Sequence, residues 1–339
     1  MPLLQVEHVT KRYGQGRAAV VAVDDVSFRA EPGRIFGLLG PNGAGKTSTI
    51  RMIAYITTPD AGRITLGGRP VGPATQRLMG YLPEERGLYR KLRVGEQLVY
   101  LARLKGRSAS EAEAAARRWL DRFDALGWWS KRVEELSKGM QQKVQFIATV
   151  AHDPALVILD EPFTGLDPLN TDLLREVIAE LRAAGRTVLF ASHRMEQVEQ
   201  VCDDLCLIAE GRVVLSGALR EVKRRFGRDT VTLAFDGGDG WLDALAAGGA
   251  VEVLSRTAGH VTARLADGTP PRRVLEAALA GAREVVHFEL HEPPLDEIFR
   301  IAVSGDRAAG PSDHRAGGGP GGALPPGQAP RSSGGPIVR

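Results

Sequence analysis

Three short runs of the chain are almost entirely apolar, and they cover residues 34–39, 156–159 and 187–191. Continuous apolar runs of this length are typical of parallel strands that other elements cover on both faces. Each run ends at residues that can do chemistry: a glycine-rich loop that begins at Gly40, the acid Asp160, and the pair Ser192 and His193. Because ligands of open α/β sheets bind at the carboxyl ends of the strands, the pattern predicts a site at that edge.

Residues 1–220 are predicted to form one α/β domain with a mostly parallel core sheet. The segment from Leu3 to Phe28 alternates as antiparallel strands do, and it predicts an antiparallel β subdomain. The segment from about Val94 to Leu126 has helical periodicity, with Ser110 as the predicted N-cap of its Ala- and Arg-rich part. We therefore expect an inserted helical subdomain at about residues 90–150.

Residues 221–303 follow a different pattern. Strand-like stretches at 230–235 and 284–290 and a hairpin at 250–266 alternate with helical stretches at 241–247, 271–279 and 295–303. The order strand, helix, strand, strand, helix, strand predicts a small ferredoxin-like α+β domain, followed by a last helix. Residues 304–339 are rich in Gly, Pro, Ser and Arg and are predicted to be disordered, because they cannot bury enough apolar surface to offset ordering.

The composition narrows the class of protein. The chain has 339 residues, of which 43% are hydrophobic and 25% charged, and its net charge of +3 is too small to indicate binding to nucleic acid. Cys202 and Cys206, the two cysteines, are predicted to be packed apolar residues of one helix, which suits a reducing cytosol. The sequence shows neither a signal-peptide pattern nor an apolar run near the ~18 residues of a membrane span, so a membrane role would be peripheral.

The segment from Gly40 to Thr47 fits the phosphate-loop pattern G-x-x-x-x-G-K-[ST]. Its backbone N–H groups would surround phosphate oxygens, while Lys46 would neutralise the β- and γ-phosphates and Thr47 would bind Mg²⁺. A glycine-rich turn without a ligand is the alternative, which the preceding strand and the following helix disfavour. The predicted nucleotide-binding residues here are Gly40, Pro41, Asn42, Gly43, Ala44, Gly45, Lys46, Thr47 and Ser48.

Two acids in succession, Asp160 and Glu161, end the apolar run at residues 156–159. A single acid at a strand end usually caps a loop, and a solvated acidic turn is the alternative interpretation. Opposite a phosphate loop the two acids can divide the work, because Asp160 would hold Mg²⁺ and Glu161 would orient and polarise the attacking water. We therefore assign Asp160 to the metal and Glu161 to catalysis.

The segment Leu136–Gln141 lies between the loop and the acids. A serine such as Ser137 before a helical run is more often an N-cap than a ligand contact. The same geometry also makes an anion site, because the cap hydroxyl and the amides of the first turn face outward together. Taken alone, the segment leaves both interpretations open.

Together these segments resemble the P-loop ATPases of the ATP-binding cassette (ABC) class, over roughly Leu3 to Gly217. Leu136–Gln141 resembles the signature of that class, Phe163–Asp167 its D-loop, and His193 its switch histidine. The resemblance implies a head-to-tail homodimer that binds ATP and Mg²⁺ and hydrolyses ATP. The site residues that it implies are Lys46, Glu161 and His193 for catalysis, Tyr13 for adenine stacking, and Ser137, Gly139 and Asp167 for further contacts with nucleotide.

The chain departs from the usual pattern of that class at three positions. Lys138 and Met140 replace the Gly and Gln of the commonest signature, while Glu84 stands where the class usually has a Gln that reaches Mg²⁺. A carboxylate can still bind magnesium, but it adds charge and cannot donate a hydrogen bond when ionised. We therefore assign Glu84 to the metal and expect a stronger dependence on metal rather than inactivity.

The segment Gly80–Tyr89 and the C-terminal α+β extension look most like the ATPase subunits of ABC-2 exporters, which include sodium-, drug- and antibiotic-efflux systems. This likeness implies integral-membrane permease subunits as partners and a peripheral position on the cytoplasmic face of the membrane. It does not identify the exported substrate. A basic cluster, Lys223, Arg224, Arg225 and Arg228, is a solvated helix face or a contact with lipid headgroups or the permease.

Two other functions belong to different classes. A soluble ABC ATPase that acts on ribosomes or DNA would carry two cassettes or long coiled-coil or zinc-bearing inserts, whereas the chain has one set of motifs and no CxxC. We therefore expect no nucleic acid partner. A module that senses nucleotide without hydrolysis is the other alternative, and Glu161 and His193 argue against it.

Overall fold

The computed structural model describes residues 3–14, 19–85, 87–226, 230–266, 268–291 and 293–308. Arg228 of the basic cluster and residues 309–339 of the predicted tail lie outside this part of the chain. The strands are β1 (Leu4–Tyr13), β2 (Val20–Ala30), β3 (Ile35–Leu39), β4 (Ala61–Leu66), β5 (Arg69–Pro70), β6 (Met79–Leu82), β7 (Leu156–Asp160), β8 (Thr187–Ser192), β9 (Asp204–Ala209), β10 (Arg212–Ala218), β11 (Thr230–Asp236), β12 (Val251–Thr257), β13 (His260–Leu265) and β14 (Glu284–His291). The α-helices are α1 (Lys46–Ile53), α2 (Pro73–Gln76), α3 (Val94–Leu104), α4 (Ala109–Arg122), α5 (Lys138–Val150), α6 (Pro168–Ala183), α7 (Met195–Val201), α8 (Leu219–Arg225), α9 (Gly240–Ala247), α10 (Pro271–Gly281) and α11 (Leu295–Ala308).

A six-stranded core sheet has the order β10-β9-β3-β8-β7-β6. Its pairs are parallel except that of β10 with β9, which is antiparallel. Strands β3, β7 and β8 are buried along their whole length, as their apolar runs predict. Because they are parallel neighbours, their carboxyl ends bring Gly40, Asp160 and Ser192 to one edge of the sheet.

Apolar side chains pack on both faces of the core sheet. One face packs against α1 and an antiparallel sheet of order β2-β1-β4-β5, which confirms the predicted β subdomain. The other face packs against α5, α6 and α7 and is continuous with the apolar side of α3 and α4. Fully buried side chains such as Leu38 and Phe190 each contribute roughly 1.5–3 kcal/mol to folding.

The helical subdomain contains α3 and α4 and leads into α5. The N-cap of α4 is Ser108, whose hydroxyl accepts a hydrogen bond from the backbone N–H of Glu111. The carboxylate of Glu111 in turn accepts one from the backbone N–H of Ser108 at 2.9 Å. The prediction that Ser110 is the N-cap was therefore wrong, because the reciprocal S-x-x-E pattern begins at Ser108.

Residues 230–291 form a four-stranded antiparallel sheet of order β12-β13-β11-β14. This order, with α9 and α10 packed against the sheet around an apolar cluster of their own, confirms the ferredoxin-like prediction. Helix α11 leaves this sheet and packs into the apolar core of the first domain through Leu295 and Ile298. It extends to Ala308, beyond the end at Val303 that the sequence predicts.

The two cysteines are buried and free, as predicted, but they do not share a helix. Cys202 follows α7, and Cys206 lies in β9, because the apolar run from Leu205 to Ile208 forms a strand of the core sheet. Burial raises the pKa of the Cys206 thiol to about 12, so that this thiol stays protonated. In the part of the chain that the structure describes, no helix is long and apolar enough to span a membrane.

Candidate nucleotide-binding site

The loop between β3 and α1 has a backbone that only glycine fits at two positions. Gly40 has φ of +153°, and a Cβ there would lie 2.1 Å from the carbonyl oxygen of Ile208. Gly45 has φ of +103°, and a Cβ there would lie 2.3 Å from the carbonyl oxygen of Ala22. The loop therefore lies tightly against neighbouring backbone and directs its N–H groups and the start of α1 towards one cavity.

Lys46 begins α1 with its ammonium group buried against this loop. Its Nζ donates hydrogen bonds to the carbonyl oxygens of Gly40 at 2.6 Å and Pro41 at 3.1 Å. The residue is 7% exposed, and burial lowers the pKa of the ammonium group, although the charges of Glu161 and Asp160 oppose this shift. An ammonium held by neutral carbonyls in a buried place is stabilised by a phosphate anion, which forms stronger charge-assisted hydrogen bonds.

The loop faces a cavity of about 400 Å³ that also contains three acidic side chains. The acids come from two different parts of the chain and reach the cavity from the ends of β6 and β7. The lining residues are Ala22, Asn42, Gly43, Ala44, Gly45, Lys46, Thr47, Ser48, Glu84, Asp160 and Glu161. The structure thus brings together most of the predicted phosphate-binding and metal-binding residues.

The oxygens of this cavity fit a magnesium ion. Asp160 is 2% exposed, and its buried Oδ2 has no hydrogen-bond partner. Burial and then the charges of Glu84 and Glu161 raise the pKa of Asp160 to about 6, so a cation would compensate an otherwise unfavourable charge. The described residues contain no group of three or more His, Cys, Asp or Glu arranged to hold a metal by themselves. Mg²⁺ in nucleotide sites binds through one or two protein carboxylates, water and phosphate oxygens, and the unpartnered Oδ2 of Asp160 offers one such ligand.

Glu161 is held rigidly at the cavity wall. It is 6% exposed and has φ of +50°, a conformation that costs a non-glycine residue of order 1–3 kcal/mol. Its Oε1 lies 2.6 Å from His193 Nδ1 and accepts a hydrogen bond from the backbone N–H of His193 at 2.7 Å. The hydroxyl of Ser192 lies 3.0 Å from Oε2. The predicted base and the switch histidine are therefore in direct contact, although His193 does not line the cavity.

Sequence reasoning missed two glutamines of α5 that hold the acidic segments in place. Gln145 Nε2 donates hydrogen bonds to the carbonyl oxygens of Glu85 at 3.1 Å and Pro83 at 3.4 Å, on both sides of Glu84. Gln142 Nε2 donates to the carbonyl oxygen of Pro162 at 3.2 Å, next to Glu161. Both glutamines are buried, and the available signal was their place in the helical run that leads from Ser137 to the acidic strand.

Ser137 and Gly139 lie apart from the cavity. Ser137 is exposed and caps α5, because its hydroxyl accepts a hydrogen bond from the backbone N–H of Met140 at 3.3 Å. Gly139 is half-buried in the first turn of the same helix, and Lys138 is exposed. Ser137 therefore acts as the N-cap of α5 within this subunit, and the start of the helix is exposed at Ser137 and Lys138.

Tyr13 and Asp167 also lie outside the cavity. Tyr13 ends β1 with 41% of its surface exposed, and Lys11 Nζ lies 5.7 Å from the centre of its ring. Asp167 is the N-cap of α6 and accepts a hydrogen bond from the backbone N–H of Asn170 at 2.9 Å. This bond is the main reason that the pKa of Asp167 is lowered. The observed contact of Asp167 is thus structural within one subunit.

A second groove, of about 720 Å³, separates α1 and β6 from the helical subdomain. It shares Thr47, Glu84 and Asp160 with the nucleotide cavity. Its wall is largely apolar, and Ile56 and Leu104 in it are exposed. The Glu84 segment therefore lies where two concave surfaces of the subunit meet.

The core sheet, the phosphate loop and the paired acids define a nucleotide-binding protein of the P-loop class. Comparison with known families makes this assignment specific. Residues 23–164 match the ABC transporter family, and residues 217–303 match the C-terminal domain of DrrA1-3-like ATP-binding proteins. The chain belongs to the ATP-binding proteins of ABC transporters, as its motifs predict.

Relatives and solved structures agree with this membership. An ABC transporter ATP-binding protein of Bacillus subtilis, YhaQ, is 45% identical over 297 residues, which cover 88% of this chain and 97% of that protein. The linearmycin resistance ATP-binding protein LnrL of the same organism is 35% identical and covers 68% of this chain and 73% of its own length. A solved ATP-binding subunit of an ABC transporter superposes with a TM-score of 0.61 at 35% identity, over 66% of this chain and 93% of that one.

Proposed function

We propose that this chain is the ATP-hydrolysing subunit of an ABC-2 exporter, active as a homodimer with membrane permease subunits. The contact between Glu161 and His193 at the wall of the nucleotide cavity carries the proposal, since a module that only binds nucleotide does not need this pair. ATP would bind with its phosphates in the loop at Gly40–Thr47 and near Lys46. A bound Mg²⁺ ion, held by Thr47 and Asp160, would neutralise the phosphate charge.

Glu161 would act on the attacking water. Its carboxylate is fixed by the Ser192 hydroxyl and by the backbone N–H of His193, and it can still accept a hydrogen bond from water. His193 Nδ1 lies 2.6 Å from Glu161 Oε1, and the side chain of His193 is 46% exposed, so that it could also contact the γ-phosphate of a bound ATP. The pair therefore orients water and phosphate without a large movement of Glu161.

The second half of the site would come from another copy of the chain. Ser137 and Gly139 are displayed outward on α5 and do not line the cavity of their own subunit. In a head-to-tail pair, each α5 start would bind the γ-phosphate held by the other subunit, and Asp167 would lie at the contact between subunits. Closure of this pair on ATP would drive export, and hydrolysis would release it.

The permease would bind the groove beside the Glu84 segment, on the cytoplasmic face of the membrane. This groove is largely apolar and meets the nucleotide cavity at Glu84, so a contact there can respond to nucleotide. The likeness to the linearmycin resistance protein supports efflux as the direction of transport. The substrate, whether a drug, an antibiotic or an ion, is a property of the permease.

Phosphate release by the purified chain tests the proposal. Wild-type protein should release phosphate from ATP only with Mg²⁺, and Glu161→Gln should abolish release while it traps an ATP-bound dimer on size-exclusion chromatography. Glu276→Gln, at an exposed acid of α10, is the matched control and should behave as wild type. Full turnover by Glu161→Gln, or a monomer with ATP and Mg²⁺, would contradict the proposal.

A further inference from the structure

Helix α7 begins at Met195, two residues after His193, and contacts the hydrolysis site through Gln197. Gln197 is buried in α7, and its Oε1 lies 3.1 Å from the Ser192 hydroxyl that contacts Glu161. The helix has 7 residues and is therefore only about 10 Å long. Such a short, well-packed helix moves as one piece, so a shift at its far side reaches His193.

The far side of α7 is attached to the C-terminal part of the chain through Glu199. One carboxylate oxygen of Glu199 accepts a hydrogen bond from the backbone N–H of Leu295, at the start of α11, at 3.0 Å. The same oxygen lies 3.0 Å from Lys223 Nζ of α8. The side chains of Glu199 and Lys223 are 22% and 18% exposed, so water screens this pair only in part. A carboxylate at the N-terminus of α11 is also stabilised by the helix dipole.

Apolar contacts reinforce the same attachment. Leu295 and Ile298 of α11 are 3% and 1% exposed, and they belong to the core cluster that contains Met195 and Val198 of α7 and Val222 of α8. The sheet of residues 230–291 has its own separate apolar cluster. The C-terminal domain is therefore joined to the hydrolysis site through α8 and α11, and both helices meet α7 at Glu199.

We propose that Glu199 is a positioning residue that couples the C-terminal domain to His193. This rests on the proposed hydrolytic function. When the site closes on ATP, α7 would carry α8 and α11 with it, and a change in the C-terminal domain would move His193 relative to the γ-phosphate. The coupling is reciprocal, because two sites linked by one equilibrium affect each other to the same extent in binding.

Two measurements on the full-length chain test the coupling. Glu199→Ala should lower kcat for ATP hydrolysis about fivefold or more, with KM for ATP within about twofold of wild type, because the phosphate loop is untouched. In the Glu161→Gln background, ATP and Mg²⁺ should change hydrogen exchange at residues 295–303, and Glu199→Ala should remove that change. A purely structural role would not separate kcat from KM or remove a nucleotide response in a distant helix.

Matched variants distinguish the outcomes. Glu196 lies on the same helix, near Pro168 and Arg175, and among the described residues it does not contact α8 or α11 in this way. The variant Glu196→Ala should therefore keep wild-type kcat and the exchange response. Glu199→Gln keeps an oxygen that can accept a hydrogen bond from the Leu295 N–H. It should therefore keep most of the wild-type kcat and most of the exchange response, even where Glu199→Ala folds poorly. Wild-type kcat in Glu199→Ala, or no response to ATP at residues 295–303, would overturn the coupling. Failure of the wild-type chain to hydrolyse ATP would overturn the proposed function instead, while the exchange response would still report the coupling.

Discussion

The two parts of the nucleotide site within one subunit are held very differently. On the cavity side, Lys46 and Glu161 are almost completely buried and hydrogen-bonded to the loop and to β8. On the signature side, Ser137 is exposed and serves its own helix as a cap. The difference teaches that binding of nucleotide and completion of the site can be separated experimentally. The cavity side should act in a single subunit, whereas the signature side should act only when a second copy is present.

Removal of the loop lysine should have the largest effect on the cavity side. Lys46→Ala should weaken ATP binding roughly 100-fold or more, because a buried phosphate loses its charged partner. Isothermal titration of the purified variant with ATP and Mg²⁺ measures this change.

Lys105 is a close control for Lys46. Its Nζ also donates to two backbone carbonyls, those of Gln76 at 2.8 Å and Met79 at 3.2 Å, and burial also lowers the pKa of its ammonium group. Lys105→Ala should therefore keep ATP affinity within about threefold, since Lys105 does not line the cavity. Equal losses in the two variants would mean that Lys46 has no special role in binding phosphate.

An alanine substitution at one glycine on each side, Gly45 in the phosphate loop and Gly139 in α5, compares the cavity side with the signature side directly. Gly45→Ala would place a Cβ 2.3 Å from the Ala22 carbonyl at positive φ, so it should cost about 1–3 kcal/mol of stability and abolish ATP binding. Gly139→Ala would place a Cβ 3.9 Å from Leu166 in the first turn of α5, so stability should stay equal or rise by at most about 0.5–1 kcal/mol.

The two glycine variants should also differ in ATP binding, dimerisation and hydrolysis. Gly139→Ala should bind ATP as a single subunit with wild-type affinity, but the ATP-dependent dimer should be weaker and hydrolysis slower. Urea unfolding, titration with ATP and size-exclusion chromatography report the three properties. A Gly139→Ala variant that dimerises and hydrolyses ATP normally would place the first turn of α5 outside the site.

The sequence predicts the cavity side better than the signature side for a physical reason. The phosphate loop, the strand that precedes it and the acids after β7 are local patterns, and the sheet topology alone brings Gly40, Asp160 and Ser192 together. Ser137 has the same local pattern whether it is a cap or a ligand contact, so the pattern alone does not distinguish the two roles. Ser110 and Ser108 both precede the Ala- and Arg-rich run, and Ser108 is the cap because Glu111 lies three residues after it and completes the reciprocal pair.

Other features of the site depend on long-range packing that no local pattern contains. The hydrogen bonds of Gln145 to Pro83 and Glu85 join segments that are far apart in sequence, and only the folded helical subdomain shows them. The same is true of Glu199, which meets α11 only because that helix returns to the first domain. Composition and periodicity predict the elements, but they do not predict which polar side chains the elements bring together.

The raised pKa of Asp160 gives a test of the cavity without nucleotide. Its folded pKa, about 6, lies above the ordinary 3.8, so the ionised form opposes folding and this penalty grows as pH rises through that window. Asp160→Asn should therefore stabilise the nucleotide-free, metal-free chain by on the order of 2 kcal/mol at pH 7.5 and by almost nothing at pH 4.

Urea unfolding of wild type and Asp160→Asn at the two pH values measures this difference. Asp121→Asn, at an exposed acid of α4, should stay within about 0.5 kcal/mol of wild type at both. An Asp160→Asn variant that is less stable than wild type at pH 7.5 would show that the carboxylate has a favourable partner, and the argument for a metal at Oδ2 would fail.

Glu84 should give the smallest effect, because it lies at the edge of the cavity and is exposed. Glu84→Gln removes one negative charge near Asp160, so the Mg²⁺ concentration for half-maximal hydrolysis should rise about fivefold, which corresponds to roughly 1 kcal/mol. Hydrolysis at saturating Mg²⁺ should stay within about threefold of wild type, since an amide oxygen can still bind the ion.

Glu85→Gln changes the next exposed acid, which lines the groove but not the cavity, and should leave the Mg²⁺ dependence unchanged. Loss of hydrolysis at saturating Mg²⁺ in Glu84→Gln would instead give this carboxylate a role in the reaction beyond its charge, and the cavity side would then need three acids rather than two.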